Sequence, residues 1–146
     1  MDAPAARLKL VAQHAQLRAH LERCSRLARR LLGGAAVHRE LDAQLALLRI
    51  AFAEHNGTET AVVRALLQGS ANWGAMLVDR MLEEHVAEHA AFWELLAGSA
   101  AVVAERMDDL VDELDAHMAA EERTFLSPAV LRNDVITDHA RREPAA

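Results

Sequence analysis

Tyrosine is absent from this chain, cysteine occurs once, and only three prolines and six glycines interrupt its 146 residues. Each scarcity excludes something. Cys24 alone forms no internal disulfide and no Cys-rich zinc or iron–sulfur site, and it suits a reducing compartment. With helix breakers rare and Ala, Leu, Val, Arg and Glu abundant, long helices are favoured over strands. No apolar run approaches the roughly 20 residues of a membrane span. Met1-Asp2-Ala3-Pro4 has neither the basic nor the apolar region of a secretory leader, so a soluble, cytoplasmic protein without a membrane partner is expected. Sixteen Lys and Arg against 22 Asp and Glu give a net charge of −6, and the basic residues are mixed with acids rather than clustered. That argues against nucleic acid, whose phosphates need a concentrated basic surface.

Histidine is in excess, with eight residues. Their meaning depends on where the helices lie. Apolar residues recur at helical spacing from about Ala5 to Leu32 (helix A), from Val37 to Leu67 (B), from Trp73 to Leu96 (C) and from Ala104 to Leu126 (D). Gly33-Gly34 ends A with left-handed cap geometry, Gln68 to Asn72 reads as a turn, Gly98-Ser99 opens the third connection, and Ser127-Pro128 stops D. Four such helices with short links bury their apolar stripes only against one another, so the expected fold is an all-α, up-down-up-down four-helix bundle. One domain over residues 1–131 and a polar tail over 132–146 complete the reading.

Histidine or carboxylate partners four residues apart stack on one helix face. The sequence contains His55/Glu59, His85/His89 and His117/Glu121, but also His38/Asp42 and His139/Glu143. Position separates them. In an antiparallel hairpin, residues at equal height are mirror images about the turn. His55 with His89, and Glu59 with His85, both have Asn72 as midpoint, and His14 mirrors His55 about the double glycine. His117 with His85 or His89 centres on positions 101 to 103, past Gly98-Ser99. It therefore needs either a connection reaching about Val102 or an offset of one turn, about 5.4 Å. His38/Asp42 lies at the end of the bundle, His139/Glu143 in the tail, and His20 about 120° around the helix from His14.

Seven groups remain: His14, His55, Glu59, His85, His89, His117 and Glu121. Such a set is costly to bury inside an apolar bundle unless cations satisfy it. Mixed imidazole and carboxylate donors suit iron more than structural zinc, and two adjacent ions fit the ligand count. Phe52, Phe92, Trp93, Leu17, Leu114 and Met118 are either core or the lining of a small-molecule pocket, and Glu54, Glu84, Glu88 and Glu122 adjoin the ligands. His20 and Cys24 form a further four-residue pair, and Gly57 interrupts the His55/Glu59 turn, where it can mark a bend.

The order His14, His55-Asn56-Gly57-Thr58-Glu59, His85-Val86-Ala87-Glu88-His89 and His117-Met118-Ala119-Ala120-Glu121-Glu122 resembles the hemerythrin and HHE cation-binding family, over about Leu10 to Pro128. The resemblance implies a non-haem di-iron centre of two iron ions, bridged by oxide or hydroxide. One iron would take His85, His89 and His117. The other would take His14 and His55 and keep an open position, with Glu59 and Glu121 bridging both. The oxygen carriers of that family place an aspartate five residues after the last histidine. Here Glu121 and Glu122 both compete for that role, and stacking at four residues favours Glu121. The implied function is binding of O2, or a related small diatomic or peroxide ligand, as carrier, store or sensor. The alternatives are a di-iron enzyme for peroxide breakdown or nitric oxide detoxification, and a metal-free helical interaction module.

Overall fold

The computed structural model describes residues 3–67, 75–124 and 126, and these form four helices with no strand among them: α1 (Ala3–Leu32), α2 (His38–Leu67), α3 (Ala75–Leu96) and α4 (Ala100–Arg123). They pack against one another as an all-α four-helix bundle. The backbone of α1 lies closest to α2 and α4, whereas α3 approaches α2 and α4 at fewer points. No described helix is long and apolar enough to cross a membrane. The Asn72 turn, Pro128, His139/Glu143 and the expected tail lie outside the described residues.

The α1–α2 link is a glycine-dependent cap. Gly34 has φ +96°, its N–H bonds to Leu31 O at 3.0 Å, and the N–H of Ala35 bonds to Arg30 O at 2.9 Å. This pair of bonds is the Schellman arrangement, which places its left-handed residue where only glycine is unstrained.

Two helix limits differ from the periodicity. Helix D begins at Ala100 rather than Ala104, because Ser99, at φ −63° and ψ 157°, caps it by accepting a hydrogen bond from the N–H of Val102. Ala100 to Ala104 are all small or β-branched and apolar, so they carry no 3.6-residue alternation. The capping serine was the legible signal. Helix D also stops at Arg123 rather than Leu126. The N–H of Leu126 still bonds back to Glu121 O at 3.0 Å, and the Arg7 side chain donates to Leu126 O at 2.9 Å, pinning the end of α4 to the start of α1.

The main core fills the half of the bundle toward the Gly33-Gly34 link. It includes Leu17, Phe52, Phe92, Leu114 and Met118, with Trp93 packed against it, so these residues are core. Cys24 belongs to it as well. Burial pushes its thiol up to about 11, while His20 turns to Arg23 at 3.0 Å, so the two do not act as a pair. A smaller apolar layer, Ala6, Leu10, Val63, Leu82 and Leu126, lies toward the other end. Between the two layers sit the buried His14, His55, Glu59, His89 and Glu121.

Helix α2 runs unbroken through Gly57, and a Cβ built there would meet no atom within 4 Å. The helix there needs no glycine. Gly57→Ala should therefore stabilise the protein by about 0.5–1 kcal/mol, seen as a higher urea midpoint at unchanged slope. A lower midpoint would show that the glycine relieves a strain absent from this geometry.

Candidate metal centre

All seven residues singled out by spacing converge on one point between the two apolar layers. His14, His55, Glu59, His89 and Glu121 are buried, and His85, the most open of the set, has a side chain only 15% exposed. Each arrives as the arithmetic of its helix requires. In α2 and α4 the four-residue spacing stacks His55 over Glu59 and His117 over Glu121, at 2.9 and 2.6 Å. Across the double-glycine link the rings of His14 and His55 lie 4.7 Å apart.

The α3–α4 side departs from expectation. The connection covers only residues 97–99, yet the His117 ring lies 5.1 Å from both His85 and His89. Neither a longer connection nor a single-turn offset describes this. At 1.5 Å per residue His117 stands ~12 Å further from the connection than the midpoint of His85 and His89 does. The backbones of α3 and α4 approach one another at few points, so the two helices are not paired level along their length.

The orientation of the rings is consistent throughout. The Nε2 atoms of His14, His55, His85 and His117 all face carboxylate oxygens of the cluster, and His89 Nε2 lies 3.2 Å from His117 Nε2. The Nδ1 atoms of three rings are held from behind, by Glu122 on His14 at 2.8 Å, Gln13 on His55 at 3.2 Å and Glu88 on His117 at 2.7 Å. In the sequence Glu88 is only a neighbour of a ligand and Glu122 is a rival to Glu121 for the cluster; the structure places both behind rings. Gln13, whose amide also donates to Thr58 Oγ1 at 3.1 Å, was not singled out at all. Its signal was available only as adjacency to His14, because the ring it orients lies on a different helix.

The two carboxylates divide their oxygens between the histidines. Glu59 puts Oε2 2.9 Å from His55 and Oε1 3.1 Å from His85. Glu121 puts Oε2 2.8 Å from His14 and 3.7 Å from His55, with Oε1 3.1 Å from His85 and 2.6 Å from His117. Glu122 is 29% exposed and lies behind His14, so Glu121 is the carboxylate inside the cluster. Three sets of atoms lie mutually within 4.8 Å: His14, His55 and Glu121; His85, His117 and Glu121; and Glu59, His89 and Glu121. Glu121 belongs to all three, and the buried cluster can bind metal.

The residues fit cations better than they fit one another. His55 Nε2 and Glu59 Oε2 are 2.9 Å apart but lack the angle of a hydrogen bond, and both are buried with no partner. Buried polar atoms left unpaired in this way cost stability. A cation accepting both lone pairs removes that cost. His38 and Asp42 take no part, since both are exposed on α2.

Without metal, the cluster is held together by protons. Burial lowers His55, but the negative charge of the adjacent Glu121 and Glu59 carboxylates outweighs it and holds the imidazole at about 9. Glu121 raises His117 in the same way, against its burial. For Glu121, the hydrogen bonds of His117, His14, His55 and His85 overcome burial and keep the carboxyl far below the ordinary range. Glu59 moves upward through burial and the neighbouring Glu121. His89 is depressed to about 4 by burial and by His117 and His85.

A hollow of about 390 Å³ between α2 and α3 reaches the cluster, lined by Thr60, Leu82, Val86, His85 and His89, with Arg64 and Asp79 3.6 Å apart at its edge. His14, at 0% exposure, is sealed on the opposite side. The described part of the cluster is therefore more open beside His85 and His89 than beside His14. Comparison with family models, curated proteins and solved structures returned no match.

The shifts set a pH optimum for the metal-free protein. The His55 contribution is full below its unfolded value near 6.5 and is lost as pH rises through about 9. The His89 contribution is full above 6.5 and is lost as pH falls through about 4. Chelator-treated protein should be most stable near pH 6.5 and lose about 3 kcal/mol toward either limit, as measured by urea unfolding across pH 4–9.5. A flat profile would contradict this proton-held network.

Proposed function

We propose that the chain is a hemerythrin-like protein that holds two iron ions and binds O2, or a related small ligand, reversibly. The observation that carries this reading is the division of the carboxylates. Glu59 and Glu121 each turn one oxygen toward the His14/His55 side and the other toward the His85/His117 side. A single ion leaves half of those oxygens pointing elsewhere, whereas two ions use them all. His14 and His55 would hold one ion, His85, His89 and His117 the other, and both carboxylates would span the pair. Five neutral imidazoles and two carboxylates match the donor preference of iron.

Iron held there would supply a redox-active centre for a small oxidising ligand. The chain's own residues set the conditions for it. Phe52 packs its ring 5.2 Å from His89, and Phe92 lies 6.0 Å from His117, which limits water on the core side. Gln13, Glu88 and Glu122 hold their histidines at Nδ1, on the far side of each ring from the cluster, so none of the three faces a ligand bound at the centre. That placement favours binding over acid–base turnover. The two-histidine side offers fewer protein donors, so the open position for a ligand belongs there.

Protein reconstituted anaerobically with ferrous iron should hold two irons per chain. It should develop a visible absorption band on exposure to O2 and lose it when O2 is removed. Fewer than one iron per chain after reconstitution, or irreversible oxidation without a band, would overturn the reading. Steady turnover of peroxide or nitric oxide that disappears in His117→Ala would make the centre an enzyme instead. Glu121→Ala should abolish binding of both ions while leaving helical circular dichroism intact, because this carboxylate reaches every set of ligands.

A further inference from the structure

Behind the histidines the two sides of the cluster are not equivalent. His117 Nδ1 lies 2.7 Å from an oxygen of Glu88, a half-exposed carboxylate that no arginine or lysine among the described residues neutralises. His14 Nδ1 bonds at 2.8 Å to Glu122, but Arg18 lies 3.2 Å from the same Glu122 oxygen and 3.7 Å from Asp115. His55 Nδ1 bonds to Gln13, a neutral amide already tied to Thr58, whose hydroxyl donates to Glu54 O. The outer partners thus form a series: a bare carboxylate, a carboxylate shared with a guanidinium, and an amide.

An imidazole whose Nδ1–H is held by an anion becomes a stronger donor at Nε2, because the partner takes up part of the ring's positive charge as the metal withdraws electrons. A guanidinium on that carboxylate cancels part of the effect, and an amide exerts little of it. We propose that Glu88, Glu122 with Arg18, and Gln13 are positioning residues that make the two metal subsites unequal. The subsite of His85, His89 and His117 fills first and is the more easily oxidised, and that of His14 and His55 is held weaker and more reducing-tolerant. Glu88 adds to the inequality beyond ligand number. This rests on the two-ion reading above, but its test does not require O2 chemistry.

Cobalt(II) serves as the probe, because its visible bands report each binding event in the full-length protein. Titration of metal-free protein should show two successive events of different affinity. Glu88→Gln keeps a hydrogen-bonding group of the same shape, and it should weaken the tighter event about 10- to 100-fold while leaving the weaker one nearly unchanged. Gln13→Glu should tighten the weaker event and narrow the gap. Glu88→Asp should restore part of the loss if charge is what matters, whereas a purely structural role would leave it as impaired as Glu88→Gln. In iron-loaded protein, Glu88→Gln should raise the reduction potential of one iron and not the other.

Equal weakening of both events, or no effect of Glu88→Gln, would overturn the inequality while leaving the two-ion reading intact. A single cobalt per chain, or none, would overturn the two-ion reading itself. Melting temperatures of the metal-free variants separate either result from misfolding. A tighter event weakened in a variant whose metal-free stability is unchanged counts for the proposal, and one explained by lost stability counts against it.

Discussion

Everything else in the molecule answers to one carboxylate. Glu121 is buried, and the Nε2 atoms of four histidines from all four helices lie within 3.7 Å of its oxygens. A carboxylate in that position cannot be held by packing, because removing it from water costs several kcal/mol unless positive charge or donors surround it. The bundle supplies them from His14, His55, His85 and His117. Each helix is therefore tied to the others at one height, midway between two apolar layers, and the register of the bundle is fixed where its polar groups meet. The hydrophobic residues drive association, but Leu against Leu tolerates a slip of one turn far better than four imidazoles around one carboxylate do.

The same constraint explains the unequal packing of the helices. Helix α1 carries only His14 inward and lies close along α2 and α4, with Arg18 and Arg7 tying it to α4. Helix α3 brings two rings to the centre, and these rings, with Phe92 and Trp93, stand between its backbone and the neighbouring helices. Large side chains at the interface hold helices apart. That separation leaves the hollow beside His85 and His89, so the side of the bundle that brings two ligands is also its more open side.

Most of this arrangement is written in local spacing. Helix identity, the glycine cap at Gly34, the four-residue stacking of His55 with Glu59 and of His117 with Glu121, and the level pairing of His14 with His55 all follow from residue intervals in straight, antiparallel segments. Where the segments stop being level, interval arithmetic loses its meaning. The connection at 97–99 is short, yet His117 reaches His85 and His89 from well beyond its mirror position, and nothing in Gly98-Ser99 encodes that. Ser99 did encode the start of α4, but only as a cap, since the run from Ala100 to Ala104 has no polar residue to reveal a period.

The groups behind the ligands were hidden for a different reason. Gln13, Glu88 and Glu122 are each adjacent to a cluster residue in sequence, yet Gln13 and Glu88 serve a ring on another helix: Gln13 of α1 holds His55 of α2, and Glu88 of α3 holds His117 of α4. Successive residues on a helix point about 100° apart, so a neighbour of an inward ligand looks sideways, into the groove toward the next helix. That direction is where the back of a neighbouring ligand's ring lies. Glu122 completes the pattern by reaching from α4 to His14 of α1. A ring of inward ligands in a bundle thus makes the adjacent positions natural holders of one another's histidines. Whether such a position carries Glu or Gln then determines how strongly the histidine it holds can donate to a metal.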